Sequence, residues 1–231
     1  MTEIIPAIMP ESFDDLKAKM REVADIVGIV QIDVMDGIFV PPTTWPYRSG
    51  QGIDLENILN GSEDMPFWKE LEFEVDMMVT DQEEEVSRWI RAGARRVIGH
   101  VEAMEDIERF IKTAKDATVP KDSPLSAEIG LAVGSETSVD GILPFIEEVD
   151  LIQLMGIKRI GYQGEEFDER VVEKVSQVRK ISPGTPISVD GGVDEDSAPI
   201  LIEAGADRLV SGSMIFKAEN KGEAVKKLLS L

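Results

Sequence analysis

The sequence predicts a single-domain α/β protein with a (β/α)8 barrel, and three observations lead to this fold class. Eight short apolar, β-branched segments alternate with segments whose apolar residues recur every three or four positions. Glycine ends several of the latter directly before a strand, as in RAGARR and EAGADR. The length of 231 residues suits one such barrel, whereas an open doubly wound sheet usually has about five to seven strands. We therefore expect one TIM-barrel domain over residues 1–231.

The predicted elements follow one another without a linker. The predicted strands are residues 4–9, 29–35, 72–78, 95–99, 127–133, 150–155, 186–189 and 208–211. The first helix is expected to begin after Ser12 as its N-cap, with Asp14 and Asp15 in its first turn. Further helical segments are residues 82–92, 103–114, 138–147, 166–179, 194–204 and 218–229. The segment 41–70 is rich in turn residues and is expected to reshape the mouth of the barrel or act as a lid.

Composition excludes several classes of function. The chain has 45 acidic and 24 basic residues, a net charge of −21, so we expect neither a nucleic-acid nor a membrane partner. The absence of cysteine excludes disulfides and thiolate chemistry, and a single histidine excludes a zinc site built from several imidazoles. No apolar run approaches the length of a membrane span, and the start MTEIIPAIMPES does not resemble a signal peptide, so a cytoplasmic location is expected.

Carboxylates are left as the candidate catalytic groups. In a barrel of this kind the chemistry lies at the C-terminal ends of the strands. These ends read QIDVMDG, EVDMMV and SVDGG, so Asp33, Asp76 and Asp190 are expected at one mouth. Alternation along the second strand turns Gln31 and Asp33 inward. Non-catalytic alternatives remain open: Asp33 as a buried acid satisfied by backbone donors, Asp190 as a turn former, and Asp76 as a structural acid.

Glycine-rich loops follow three neighbouring strands. IGYQGEEF comes after the sixth, DGG after the seventh and SGSMIF after the eighth. Such loops can turn backbone N–H groups toward an anion, and the loops after strands seven and eight are the usual phosphate site of these barrels. The sequence therefore predicts a phosphorylated ligand.

The motifs IDVMDGIFVPP, HVEA, GYQGEEF and SVDGGVDEDSAPILIEAGADRLVSGSMIF resemble the ribulose-phosphate 3-epimerase family. The resemblance implies a barrel of the ribulose-phosphate-binding type that inverts C3 of a ketose phosphate. In that reaction D-ribulose 5-phosphate becomes D-xylulose 5-phosphate through an enediolate, with two aspartates as acid and base. The matching positions are Asp33 and Asp190.

The resemblance also implies a divalent metal ion, and here the sequence departs from the family. Gln31 and Asp76 stand where the family has its two metal-binding histidines. The set that remains, Gln31, Asp33, Asp76 and Asp190, offers only oxygen ligands. Oxygen ligands favour Mg²⁺ or Mn²⁺, allow Fe²⁺ and suit Zn²⁺ less well.

Further site residues are implied by the same resemblance. Substrate-binding candidates are Met35, Met78, His100 and Met155. The alternative for the methionines is plain barrel core, and for His100 it is an inward-facing histidine held by a hydrogen bond. Phosphate-binding candidates are Gly161, Gly164, Gly191, Gly192, Gly212 and Ser213. The implied partner is a small phosphorylated sugar, and family members are commonly homo-oligomers.

Two other functions compete with epimerisation. Because both histidines are replaced, the chain could be a divergent paralogue that binds a phosphosugar or another phosphate ester without epimerising it. Decarboxylase or aldolase chemistry would require a lysine among the strand-end acids, and QIDVMDG contains none.

Overall fold

The computed structural model describes residues 2–120, 123 and 126–231. Within these residues, eight parallel strands pair in chain order, and the last pairs with the first to close a barrel. The predicted fold class is confirmed. The strands are β1 Glu3–Ile8, β2 Ile29–Met35, β3 Glu72–Met78, β4 Arg96–His100, β5 Glu128–Val133, β6 Leu151–Met155, β7 Ile187–Asp190 and β8 Arg208–Ser211.

Helices surround the barrel and cover the outward faces of the strands. They are α1 Phe13–Val23, α2 Gly52–Leu59, α3 Gln82–Arg91, α4 Ile107–Ala117, α5 Arg170–Ile181, α6 Ser197–Ala204, α7 Ser213–Phe216 and α8 Lys221–Leu229. The 3-10 helices Val101–Ala103 and Val139–Phe145 lie between them. None of the helices in the described part of the chain combines the length and the apolar composition needed to cross a membrane.

Helix α1 forms as its sequence predicts. The side chain of Ser12 accepts a hydrogen bond from the backbone N–H of Asp15, which satisfies a donor at the free end of the helix. Its buried face carries Phe13, Leu16, Met20 and Val23. Burial of side chains of this size contributes roughly 1.5–3 kcal/mol each and fixes the helix against the barrel.

Two segments differ from the sequence-based expectation. Within residues 41–70 the structure has the short helix α2. Trp45 of the same segment stacks on Phe13 at a centroid distance of 5.1 Å, which anchors the segment to helix α1. Residues 139–145, inside the predicted helical segment 138–147, form a 3-10 helix rather than an α-helix. Pro144 lies inside this helix and has no N–H to donate, so the α-helical hydrogen-bond pattern is interrupted there.

Strand register brings the inward-facing acids together. On the paired strands β2 and β3, Asp33 lies opposite Asp76, and Gln31 lies opposite Glu74. Because residues opposite one another in parallel strands share a face, all of these side chains point into the barrel. On the far side Asp190 ends β7.

An ion-pair network fills the barrel below this level. Glu74 is fully buried and pairs with Arg96 on β4 and with Arg208 on β8, the latter at 2.5 Å. Arg208 also contacts Glu3 at 2.9 Å. A buried carboxylate is costly unless it is paired, so the two guanidinium groups are what make Glu74 tolerable in the interior.

Candidate active site

Three buried aspartates form a cluster at the C-terminal end of the barrel. One carboxylate oxygen from each of Asp33, Asp76 and Asp190 lies within 4.8 Å of the others. The three side chains are at most 8% exposed. Three carboxylates this close in a low-dielectric site cannot all stay ionised without a compensating proton or cation.

Gln31 bridges two members of the cluster. Its side-chain Nε2 donates to Asp33 Oδ1 at 2.8 Å and to Asp190 Oδ2 at 2.7 Å. Its Oε1 is buried and has no hydrogen-bond partner among the described residues. The amide nitrogen therefore faces the two carboxylates, and in this orientation Gln31 is a donor to the acids rather than an oxygen ligand beside them.

Asp76 is held by the only histidine of the chain. Nε2 of His100 lies 3.0 Å from Asp76 Oδ1 in a fully buried contact. Burial on its own lowers the pKa of His100, but the charge and hydrogen bond of Asp76 outweigh it and raise that pKa above its ordinary value. The second oxygen of Asp76, Oδ2, is buried without a hydrogen-bond partner in the described part of the chain.

Two acids of the cluster, Asp33 and Asp190, have a raised pKa. Burial raises the pKa of Asp33 well above its ordinary value, and the charges of Asp190 and Asp76 raise it further. Burial, followed by the charge of Asp76, raises the pKa of Asp190 to about 7, against the hydrogen bond from Gln31 that lowers it. At neutral pH the pair can therefore hold a proton on one carboxyl group while the other is ionised, as acid/base chemistry requires.

The same cluster can hold a divalent metal ion. Its three carboxylates converge within 4.8 Å, and hard divalent cations prefer oxygen ligands. The unpartnered Oδ2 of Asp76 fits this use, because a buried carboxylate oxygen without a donor among the described residues gains from a cation.

A cavity of about 560 Å³ opens above the aspartates. Asp33 and Asp190 reach it from below, and Met78 and Met155 line it beside them. The glycine-rich loops contribute the remaining predicted residues, which are Gly161, Gly164, Gly191, Gly192, Gly212 and Ser213. The sequence-predicted loops therefore meet around one space.

Two glycines in these loops have a backbone conformation in which any other residue would be strained. Gly191 and Gly192 have φ values of +92° and +67°. A methyl group on Gly192 would lie 2.9 Å from the Cα of Phe167, and one on Gly191 would lie 2.8 Å from Ile157. The loop after β7 is thus packed closely against the loop after β6, and glycine keeps the backbone open toward the cavity.

Other sequence-predicted residues lie behind the cavity wall. Met35 and His100 are fully buried and are not among the described residues that line the cavity. Met35 packs with Met78 and Val40. Gln31 and Asp76 are likewise fully buried and are not among the described residues that line the cavity.

Gln163 and Lys217 are among the polar side chains at the cavity that sequence reasoning missed. Gln163, in the loop after β6, donates from Nε2 to the carbonyl oxygen of Ala7 at the end of β1, 3.2 Å away. Lys217, directly after α7, also lines the cavity. Both stand inside or next to motifs already singled out, GYQGEEF and SGSMIF, so a reading of all polar residues at those loops would have found them.

Comparison with known proteins decides the family. Residues 3–216 match the model of the ribulose-phosphate 3-epimerase family. The chain belongs to this family. The resemblance inferred from the motifs is confirmed, and its relatives are epimerases, which belong to the isomerases.

Three such relatives illustrate the similarity. Ribulose-phosphate 3-epimerase of Chlamydia pneumoniae is 34% identical over 206 residues, which cover 87% of this chain and 81% of that protein. The chloroplastic ribulose-5-phosphate-3-epimerase of Arabidopsis thaliana is 31% identical, over 96% of this chain and 74% of that protein. Ribulose-phosphate 3-epimerase of Bacillus subtilis (strain 168) is 27% identical, over 99% and 98%.

Solved structures share the fold at lower sequence identity. A crystal structure of KGPDC from Streptococcus mutans has a TM-score of 0.70 at 14% identity, covering 99% of this chain and 96% of that chain. The 3-hexulose-6-phosphate synthase from Salmonella typhimurium has a TM-score of 0.67 at 17% identity, covering 99% and 97%. At these sequence identities the similarity is limited to the barrel fold.

Proposed function

We propose that the protein is an epimerase that inverts C3 of a ketose phosphate and converts D-ribulose 5-phosphate to D-xylulose 5-phosphate. The observation that carries this proposal is the pair Asp33 and Asp190. Both have a raised pKa, and both lie at the floor of one cavity. Membership of the epimerase family supports the choice of reaction.

The two proposed proton transfers at C3 use the two aspartates in turn. One ionised carboxylate removes the proton from C3, and the electron pair of that C–H bond forms the C2–C3 double bond while the C2 carbonyl oxygen takes the negative charge. The other carboxyl group, protonated, then donates to C3 from the opposite face, and the carbonyl forms again. Each turnover leaves the proton on the opposite aspartate, so the pair is ready for the reverse reaction.

A divalent metal ion fits the same site. Asp33, Asp76 and Asp190 would hold it, and with oxygen ligands Mg²⁺ or Mn²⁺ is favoured, Fe²⁺ is possible and Zn²⁺ is less favoured. When bound, such an ion supplies Lewis-acid stabilisation of enediolate oxygens. Gln31 would join the ligand set only if its amide turned to present Oε1, the buried oxygen that has no partner among the described residues.

The upper part of the cavity suits the phosphate of the substrate. Its glycine-rich loops offer backbone N–H groups, and we assign phosphate binding to Gly161, Gly164, Gly191, Gly192, Gly212 and Ser213. Met78 and Met155 would shield the enediolate from water, with Met35 packed behind them. We assign His100 the role of positioning Asp76, since its imidazole contacts that carboxylate and is not among the described residues that line the cavity.

A second candidate function is supported by the bridge that Gln31 makes. Its amide nitrogen donates to both acids, which gives the aspartates a polar partner without a metal ion. In that case the protein would bind a phosphosugar or another phosphate ester without moving a proton. The two candidates differ in whether C3 exchanges its hydrogen with solvent.

Exchange of the C3 hydrogen therefore tests the proposal. D-ribulose 5-phosphate is incubated in D₂O with EDTA-treated protein, with and without Mg²⁺, Mn²⁺, Fe²⁺ or Zn²⁺, and the C3 signal is followed by NMR. We expect exchange with the wild type and a loss of about 100-fold or more in Asp33→Asn and Asp190→Asn. Asp14→Asn, a matched change at an exposed position of α1, should exchange like the wild type. Absence of exchange under every metal condition would contradict the proposal and favour the binding function.

A further inference from the structure

We propose that Lys217 supplies the full positive charge that holds the phosphate group of the ligand at the mouth of the cavity. The inference rests on the proposed function for the identity of that ligand as a phosphorylated sugar. It adds a side-chain contact to a phosphate site otherwise built from backbone N–H groups.

The position of Lys217 supports this role. The residue follows α7, and its backbone N–H donates to the carbonyl oxygen of Ser213 at 3.0 Å, which fixes the residue after the SGSMIF turn. Its side chain extends toward the loop after β6, where a methyl group on Gly164 would lie 3.5 Å from Lys217 Nζ. The ammonium group therefore lies at the cavity between two of the glycine-rich loops.

The charges around the cavity show why a cation is needed there. Among the described residues that line it, Lys217 is the one basic side chain, whereas Asp33, Asp190, Glu165 and Asp194 are acidic. The chain as a whole carries a net charge of −21. A phosphate dianion approaching this mouth is repelled by the surrounding carboxylates, and a nearby ammonium group offsets that repulsion.

Lys217 is also available for a ligand. Within the described part of the chain its ammonium group makes no hydrogen bond or ion pair. Two other basic residues already have acidic partners: Lys221 pairs with Glu22 at 3.2 Å, and Arg159 pairs with Glu165 at 2.5 Å. In a protein with so many carboxylates, an unpaired lysine at a cavity mouth is suited to an incoming anion.

Binding of inorganic phosphate tests the proposal independently of catalysis. Phosphate is titrated at low ionic strength into the full chain, and amide shifts of the loops after β7 and β8 are followed by NMR. Lys217→Gln should raise the phosphate Kd about fivefold, because an exposed ion pair contributes up to about this factor. Lys226→Gln, the same charge change at an exposed position of α8 outside the cavity, should leave Kd within about twofold of the wild type.

The remaining outcomes separate the claims. Lys217→Arg keeps the charge and should restore phosphate binding, which distinguishes lost charge from a disturbed loop. Equal Kd values for Lys217→Gln and Lys226→Gln, or no phosphate-induced shift of the loop amides in the wild type, would overturn the assignment of Lys217. Phosphate binding that depends on Lys217 in a protein without C3 exchange would uphold this inference while contradicting the epimerase proposal.

Discussion

Gln31 on β2 and Asp190 at the end of β7 are joined across the barrel by a hydrogen bond of 2.7 Å. The same amide nitrogen donates to Asp33 at 2.8 Å, so one neutral side chain connects the two proposed acid/base groups. These bonds favour the ionised form of each acid, whereas burial favours the protonated form. The proton affinity of the pair is therefore set by a balance that a single substitution can change.

Replacement of Gln31 by methionine should raise the pKa of Asp190 above its value of about 7. Methionine has a similar length but donates no hydrogen bond, so the ionised carboxylate loses stabilisation. The carboxyl carbon of Asp190 can be titrated by ¹³C NMR in both proteins. An unchanged pKa would mean that the bridge contributes little, and Gln31→Asn serves to show the effect of a donor that is one carbon shorter.

Stability should fall as pH rises from about 4 to about 7. The pKa of Asp190 is raised from 3.8 to about 7, so between these values the folded protein binds more protons than the unfolded chain, and unfolding becomes easier as pH increases. Asp190→Asn removes this effect and should raise Tm at pH 8 by about 4 °C or more, with a smaller gain at pH 4. Thermal scans at both pH values, with Asp14→Asn as control, provide the measurement. A pH-independent difference between Asp190→Asn and the wild type would contradict the assigned pKa.

Loss of His100 should destabilise the fold. His100→Leu leaves the carboxylate of Asp76 buried without its 3.0 Å partner, at a cost of about 3 kcal/mol in the free energy of unfolding. His100→Gln retains a donor and should lose less. Urea denaturation at pH 7 measures both variants, and equal stability of the two would show that the contact with Asp76 is not what makes His100 important.

Metal binding should depend on Asp76 while phosphate binding does not. Asp76 belongs to the carboxylate cluster but is absent from the described residues that line the cavity. Asp76→Asn should therefore weaken Mn²⁺ binding about tenfold or more, as followed by electron paramagnetic resonance, and leave the Kd for inorganic phosphate unchanged. Equal Mn²⁺ affinity in variant and wild type would remove the three-carboxylate site from consideration.

Much of the barrel and its acidic floor could be predicted from sequence because both depend on short repeats. Alternation along β2 places Gln31 and Asp33 on one face, and the parallel pairing of β2 with β3 sets Asp76 beside Asp33. The strings DGG and SGSMIF indicate loops in which the backbone turns. This signal is local and does not depend on residues that are distant in the sequence. These features follow from local chemistry and the common direction of the strands.

Contacts that depend on distances across the barrel could not be predicted in this way. No sequence pattern states that the amide nitrogen of Gln31 faces Asp190, 159 positions away. The pairing of Glu74 with Arg208 could not be predicted for the same reason, since the two residues lie 134 positions apart. Lys217 was missed because its reach depends on the turn made by α7, and helix α2 was missed because its eight residues give too short a periodic signal.

The most direct test of the central claim is the fate of D-ribulose 5-phosphate in D₂O with the wild-type protein, with each of Mg²⁺, Mn²⁺, Fe²⁺ and Zn²⁺ and without metal, followed by NMR until equilibrium. Two-aspartate proton transfer predicts that D-xylulose 5-phosphate accumulates with deuterium at C3 and with no deuterium introduced at other carbons. Recovery of D-ribulose 5-phosphate alone, with C3 still carrying its original hydrogen, would contradict the epimerase account.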